Sequence, residues 1–167
     1  MTVKILFFDD EKRIAETLQK NLELFNYEVK LVSTITDFVA EINNATVTYD
    51  LLLMDIMAPM PSEMEKNWFN PEELNHMEKG LKTGQVLVDK IRYFNAHDLK
   101  SMNRGSNVGE VLTEKVRGIA KYVNVPVLFY SAKSSVKEFP NAKLITKPAL
   151  ARDIVDAIES LLKGGTQ

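Results

Sequence analysis

The sequence predicts an α/β fold, a five-stranded parallel sheet with helices on both of its faces. Three observations carry that prediction. Short apolar runs alternate along the chain with segments whose apolar residues recur every three or four positions. The runs are almost continuously apolar, as strands buried on both faces are. Several of them stop at a polar or charged residue, where an open parallel sheet keeps its ligand and its chemistry.

Val3 to Phe8 is the first such run, stopped by Asp9, Asp10 and Glu11, and it reads as a buried strand. Ile14, Leu18, Leu22 and Phe25 then recur at helical spacing and predict an amphipathic helix up to about Asn26. Tyr27 to Val32 is a second strand. Thr36 to Ile42, with Phe38, Val39 and Ile42, is a second helix. Leu51 to Met54 is the third strand, cut off by Asp55. Further on, Gly84 to Phe94 places Leu87, Ile91 and Phe94 on one helical face. Val125 to Tyr130, entered through Pro126, is the fourth strand, because proline is tolerated where a strand begins. Ala142 to Ile145 is a short fifth strand, and Ile154, Ile158 and Leu161 define a closing helix before the tail KGGTQ. Right-handed crossovers then cover both faces of the sheet.

Composition narrows the function classes. At 167 residues, with 45% hydrophobic and 26% charged residues, the chain suits one folded domain with a single core. Its 21 basic and 23 acidic residues leave a formal charge of -2, which offers no general attraction to nucleic acid or an anionic membrane. Cysteine is absent, which excludes disulfides, thiol nucleophiles and thiolate metal sites. With no signal-peptide pattern and no apolar run long enough to span a bilayer, the expectation is a cytoplasmic protein.

The polar residues at the strand ends are the candidates for chemistry. Asp9 and Asp10 follow the first strand, Asp55 the third, Ser131 the fourth and Lys147 the fifth. Asp55 alone reads more readily as a strand-terminating turn residue. In a parallel sheet, however, all these ends share one edge, so the five side chains converge. Three clustered carboxylates repel one another unless a cation neutralises them. An all-oxygen donor set suits Mg²⁺, and a lysine and a hydroxyl are good phosphate ligands. Together they describe a phosphoryl-transfer site with an aspartate as nucleophile.

The segments FFDDEKRIAETLQKNLELFNYEVKLV, YDLLLMDIMAP, TGQVLVDKIR, VPVLFYSAK and LITKP, in that order, resemble response-regulator receiver domains of two-component signalling. The resemblance implies a flavodoxin-like, doubly wound sheet of strand order 2-1-3-4-5. It further implies that Asp55 accepts a phosphoryl group from a histidine kinase or phosphotransfer protein. Asp9 and Asp10 then hold Mg²⁺, with Asp55 and the backbone carbonyl of Met57 completing the protein ligands. Ser131 bonds a phosphoryl oxygen, and Lys147 pairs with the acidic cluster before phosphorylation and with the phosphoryl group after it. Pro148 matches the family's lysine-proline pair in its cis form. On this reading, residues 1–163 are one receiver domain that acts alone, phosphorylated signalling protein rather than enzyme, and 164–167 are a flexible tail. Its partners are the phosphodonor and an unidentified output protein, with no direct nucleic-acid or membrane partner.

The chain departs from the family pattern in places. It carries insertions at about 60–81 and 95–122. The first contains NPEELNHMEKG, where Asn70 as N-cap, Pro71, Glu72 and Glu73 in the first turn and Gly80 as the stop predict a short helix. The second has Val108, Leu112, Val116 and Ile119 at helical spacing, a further packed helix that can simply extend the core. The segment from Ser131 to Lys147 is short, and Leu144 stands where the family often has a rotating aromatic, so the usual output coupling is not expected. His76 and His97 lack a ligand cluster and read as exposed helix residues. Trp68 either packs the first insertion onto the body or anchors a partner. Two other readings stand beside the receiver: a pseudo-receiver with a vestigial pocket, which the full set of five side chains opposes, and an aspartate-nucleophile phosphohydrolase. The second would want an aspartate two residues after Asp9, where Glu11 stands.

Overall fold

The computed structural model describes residues 2–77, 80, 82–92, 122, 124–133 and 140–164. Five parallel strands, β1 (Lys4–Phe8), β2 (Glu28–Val32), β3 (Leu51–Met54), β4 (Val127–Ser131) and β5 (Ala142–Thr146), lie in the order β2-β1-β3-β4-β5. This is the doubly wound order expected. Helices α1 (Lys12–Leu24), α2 (Ile35–Asn43), α3 (Pro71–His76), α4 (Thr83–Arg92) and α5 (Ala151–Gly164) run along the connections. Among the described residues no helix is long and apolar enough to cross a membrane.

Strand pleating sorts the core into two layers. In β1, Leu6 and Phe8 face one layer, with Ile35, Phe38 and Ile42 of α2 and Val86, Leu87 and Val88 of α4. Ile5 and Phe7 face the other, with Ala15, Leu18 and Leu22 of α1 and Ile154, Ile158 and Leu161 of α5. The α1 face differs from the expectation in two residues. Ile14 and Phe25 are exposed, at 54% and 48%, because the buried stripe runs through Ala15, Leu18 and Leu22. Ile14 lies one residue, about 100° of helix, off that stripe, and Phe25 is the C-cap beyond the last turn. The fourth strand begins after Pro126 and takes in Ser131, which pairs in register with Thr146. Ser131 is therefore the strand's last residue and not the residue after it.

Between β3 and α4 the chain crosses the carboxyl edge of the sheet. A 3₁₀ turn, Glu65–Trp68, leads into α3, which is short but doubly capped: Glu73 N donates to Asn70 Oδ1 at 2.8 Å, and Asn70 N to Glu73 Oε2 at 2.7 Å. Phe69 and Met77 are buried in the α2–α4 layer, and Leu74 packs partly against it. Glu65 ties the segment to α2, since its Oε1 accepts from Thr36 N and Thr36 Oγ1, both at 2.9 Å, and its Oε2 from Ser62 N at 2.8 Å. His76 is exposed, as expected. The expectations for the rings of Trp68 and Phe94, the Ile91 side chain, His97 and the helix bearing Val108, Leu112, Val116 and Ile119 lie outside the described residues.

The segment returns to the acceptor loop through a narrow neck. Ala58 N donates to Gly80 O at 3.1 Å, Gly84 N to Ile56 O at 3.1 Å, and the buried Thr83 Oγ1 to Ala58 O at 2.9 Å. Gly80 adopts φ +94°, a left-handed conformation that favours glycine. At Gly84 the close approach itself demands glycine, because a Cβ there would lie 1.8 Å from the carbonyl oxygen of Asp55.

Candidate functional site

Three adjacent strands end together and determine the site. Phe8 and Met54 are partners in register, so Asp9 and Asp55 leave the sheet side by side, and β4 extends past them to Ser131. The backbone fixes each exit: Asp9 N donates to Val32 O at 3.2 Å, Asp55 N to Phe8 O at 2.8 Å, and Lys147 N to Ser131 O at 2.8 Å. The peptide bond from Lys147 to Pro148 is cis, as the resemblance implies.

The side chains close a network around Asp55. Its Oδ1 accepts from Ser131 Oγ at 2.6 Å and from Met57 N at 3.0 Å, while its Oδ2 accepts from Lys147 Nζ at 2.8 Å. The same ammonium donates to Asp9 Oδ2 at 2.7 Å, and Asp9 Oδ1 accepts from Glu11 N at 2.9 Å. Asp9, Asp55 and Ser131 are buried, and Lys147 reaches in with its side chain 12% exposed. These are charge-assisted bonds among largely buried groups, where such bonds are strong.

The electrostatics follow from burial. Loss of water pushes the Asp9 carboxyl above its usual range, with the neighbouring Asp55 charge adding to the rise and the Lys147 bond opposing it. Burial also raises Asp10, helped by the charges of Asp55 and Glu11. Burial alone would lower the Lys147 ammonium, but its bonds to Asp55 and Asp9 outweigh that and its pKa is raised. The site thus holds more negative charge than one lysine comfortably balances.

Oxygen atoms of Asp9, Asp10 and Asp55 lie within 4.8 Å of one another, close enough to share one cation. The donors are carboxylate oxygens, and the chain has no cysteine. Such a set fits a hard divalent ion such as Mg²⁺, which binds through few carboxylates and keeps water on its remaining positions. All five side chains singled out in the sequence therefore meet at one edge. Met57 stands beside them, its backbone N–H engaged with Asp55.

Three further features are not singled out from the sequence. Gly84 lies against the Asp55 carbonyl, and Tyr130 presents its ring to Lys147, with Nζ 5.2 Å from the ring centroid. Glu65 reaches α2 from far along the chain. Its only sequence trace is the pair Ser62 and Glu65, a capping-box spacing that the structure uses across the 3₁₀ turn.

No protein-family model and no curated protein matches the chain by sequence. Solved structures do match. A CheY-like response regulator receiver domain protein from Methanospirillum hungatei JF-1 is 21% identical, with a TM-score of 0.58, over 99% of this chain and 97% of that one. A response regulator receiver protein from Sinorhizobium medicae WSM419 is 17% identical, with a TM-score of 0.60, over 98% and 97%. A putative response regulator from Chloroflexus aurantiacus J-10-fl is 16% identical, with a TM-score of 0.58, over 98% and 99%. At these identities the likeness speaks for the backbone, and it covers nearly the whole chain: this protein has the fold of CheY-like response-regulator receiver domains.

Proposed function

We propose that the chain is a cytoplasmic receiver whose Asp55 takes a phosphoryl group from a phosphohistidine on a histidine kinase or phosphotransfer protein, in a Mg²⁺-dependent reaction that changes its affinity for an output protein. The observation that carries this reading is the position of Asp55, held between Ser131 Oγ and Lys147 Nζ beside the two other aspartates. A carboxylate oxygen of Asp55 forms the new P–O bond as the donor's P–N bond breaks, and the imidazole leaves with the electron pair. Asp9, Asp10, Asp55 and the Met57 carbonyl would hold the ion, which supplies positive charge for the phosphoryl oxygens. Lys147 and Ser131 need only small turns to bring an ammonium and a hydroxyl to those oxygens. Later attack by water on the phosphorus returns the carboxylate, so the chain assists its own transfer and release without being an enzyme for an external substrate. Glu11, where a phosphohydrolase would want a second aspartate, is exposed, which favours the acceptor reading.

Intact mass after incubation with acetyl phosphate and Mg²⁺ tests the proposal. The wild type should gain one phosphoryl group and Asp55→Asn none. A wild type that gains nothing, or a variant that gains as much, would overturn it.

A further inference from the structure

We propose that Tyr130 is a positioning residue for this transfer: its ring face holds the Lys147 ammonium at the sheet edge while the carboxylates around that ammonium change partners. Lys147 Nζ lies over the ring, 5.2 Å from its centroid, within the range of a cation–π contact. The ring is fixed. Tyr130 is 7% exposed, belongs to the α1–α5 layer, and sits in β4 in register with Ile145.

The need for such a hold comes from the other partners of Nζ. They are Asp9 and Asp55, the two carboxylates that the proposed chemistry redirects, one to a cation and the other to a new P–O bond. Before the phosphoryl oxygens reach it, the lysine has lost part of its hold on both carboxylates, and with its side chain only 12% exposed water cannot replace that easily. The π face of Tyr130 takes no new bond in this chemistry. Its share of the hold on Lys147 is therefore largest while the ammonium passes from the carboxylates to the phosphoryl oxygens, which is the condition for an effect on rate. An aliphatic residue in the same place could fill the volume but not attract the charge. The functional half of this inference rests on the phospho-acceptor reading, whereas the contact itself does not.

The test compares Tyr130→Phe, which keeps the π face, with Tyr130→Met, which keeps much of the bulk without it. Circular dichroism and urea unfolding first establish that both variants fold. In protein labelled with ¹³C-lysine and no divalent ion, with Lys147→Arg assigning the signal, the Lys147 ε-methylene resonance should be displaced upfield by the ring. The displacement should survive in Tyr130→Phe and vanish in Tyr130→Met. With acetyl phosphate and Mg²⁺, Tyr130→Met should be phosphorylated about 3- to 30-fold more slowly, the span a cation–π contact covers between half-wet and dry sites, and Tyr130→Phe should be close to wild type. An unchanged resonance in a folded Tyr130→Met would overturn the contact. Equal rates in both variants, with wild type phosphorylated normally, would overturn the positioning role alone. A wild type that takes no phosphoryl group would overturn the acceptor reading and, with it, the role in transfer, while the resonance still decides the contact.

Discussion

Replacing Gly84 by alanine puts one methyl group against the acceptor residue from behind. The added Cβ would lie 1.8 Å from the Asp55 carbonyl oxygen, 2.8 Å from its carbonyl carbon and 3.0 Å from the Ile56 Cα. All three are backbone atoms, so no flexible side chain can swing aside. Reaching ordinary contact distance means parting the start of α4 from the loop after β3 by about 1.5 Å, since overlap of that size cannot be absorbed in a close-packed site. Overpacking of this kind costs about 1–3 kcal/mol. The parting also breaks or stretches the bond from Gly84 N to Ile56 O, worth about 0.5–1.5 kcal/mol. Alanine's better helix propensity returns somewhat less than 1 kcal/mol. The expected net loss is about 1–4 kcal/mol, read from urea unfolding. In the fraction that stays folded, Asp55 is displaced by on the order of 1 Å relative to Ser131 and Lys147, and misplacement on that scale costs about 100-fold in rate. Time-resolved intact mass under acetyl phosphate and Mg²⁺ reads that loss. A Gly84→Ala protein within about 0.5 kcal/mol of wild type and labelled at the wild-type rate would show the reasoning to be wrong.

Two further outcomes follow from charge. Asp9→Asn removes a buried charge that the fold disfavours, so in chelator the variant should melt a few degrees above wild type, the scale one kcal/mol sets for a chain of this size; added Mg²⁺ should raise the wild-type midpoint and leave the variant's nearly unchanged, and calorimetry giving a lower midpoint for the variant in chelator would refute this. Burial raises the Glu65 carboxyl, but the bonds from Ser62 and Thr36 outweigh that and its pKa is lowered, so its contribution is present above the unfolded value and disappears as pH falls through the folded one. Glu65→Gln should therefore cost about 0.5–1.5 kcal/mol near neutral pH and progressively less as the pH is taken below the ordinary carboxylate range; a loss that stays constant as the pH is lowered, in urea titrations, would show that the carboxylate charge is not what ties this segment to α2.

The strand ends were legible because a sheet buried on both faces writes its strands as apolar runs, and the residue that stops each run is then conspicuous. Asp9, Asp10, Asp55, Ser131 and Lys147 could be found that way, each from its own neighbourhood in the chain. What could not be found is contact between elements seen from the side. Ile14 looks like a core residue by spacing, yet a one-residue difference in helix rotation turns it to solvent. Gly84 reads as an ordinary helix-start glycine until the Asp55 carbonyl is seen against it. Tyr130 is one more apolar position in β4, and its relation to Lys147 depends on how far β5 runs before its chain turns. Glu65 and Thr36 are 29 positions apart, and nothing local to either encodes the other.

The neck formed by Ala58 and Gly80 separates the length of the crossing segment from the geometry of the acceptor. Because the backbone bond from Ala58 N to Gly80 O closes the loop at its base, residues 59–79 are topologically a side branch of the path from β3 to α4. The entropy of closing such a branch changes slowly with its length, by about 0.6 kcal/mol for each doubling. Variation in its outer part, including the exposed Met64, can therefore accumulate or be engineered without moving Asp55, provided that Phe69 and Met77 still plug the core and Gly80 keeps its turn. Foreign peptide spliced near Met64 would be displayed on the same edge of the sheet as the acceptor, with its attachment points held by the protein and not by the peptide.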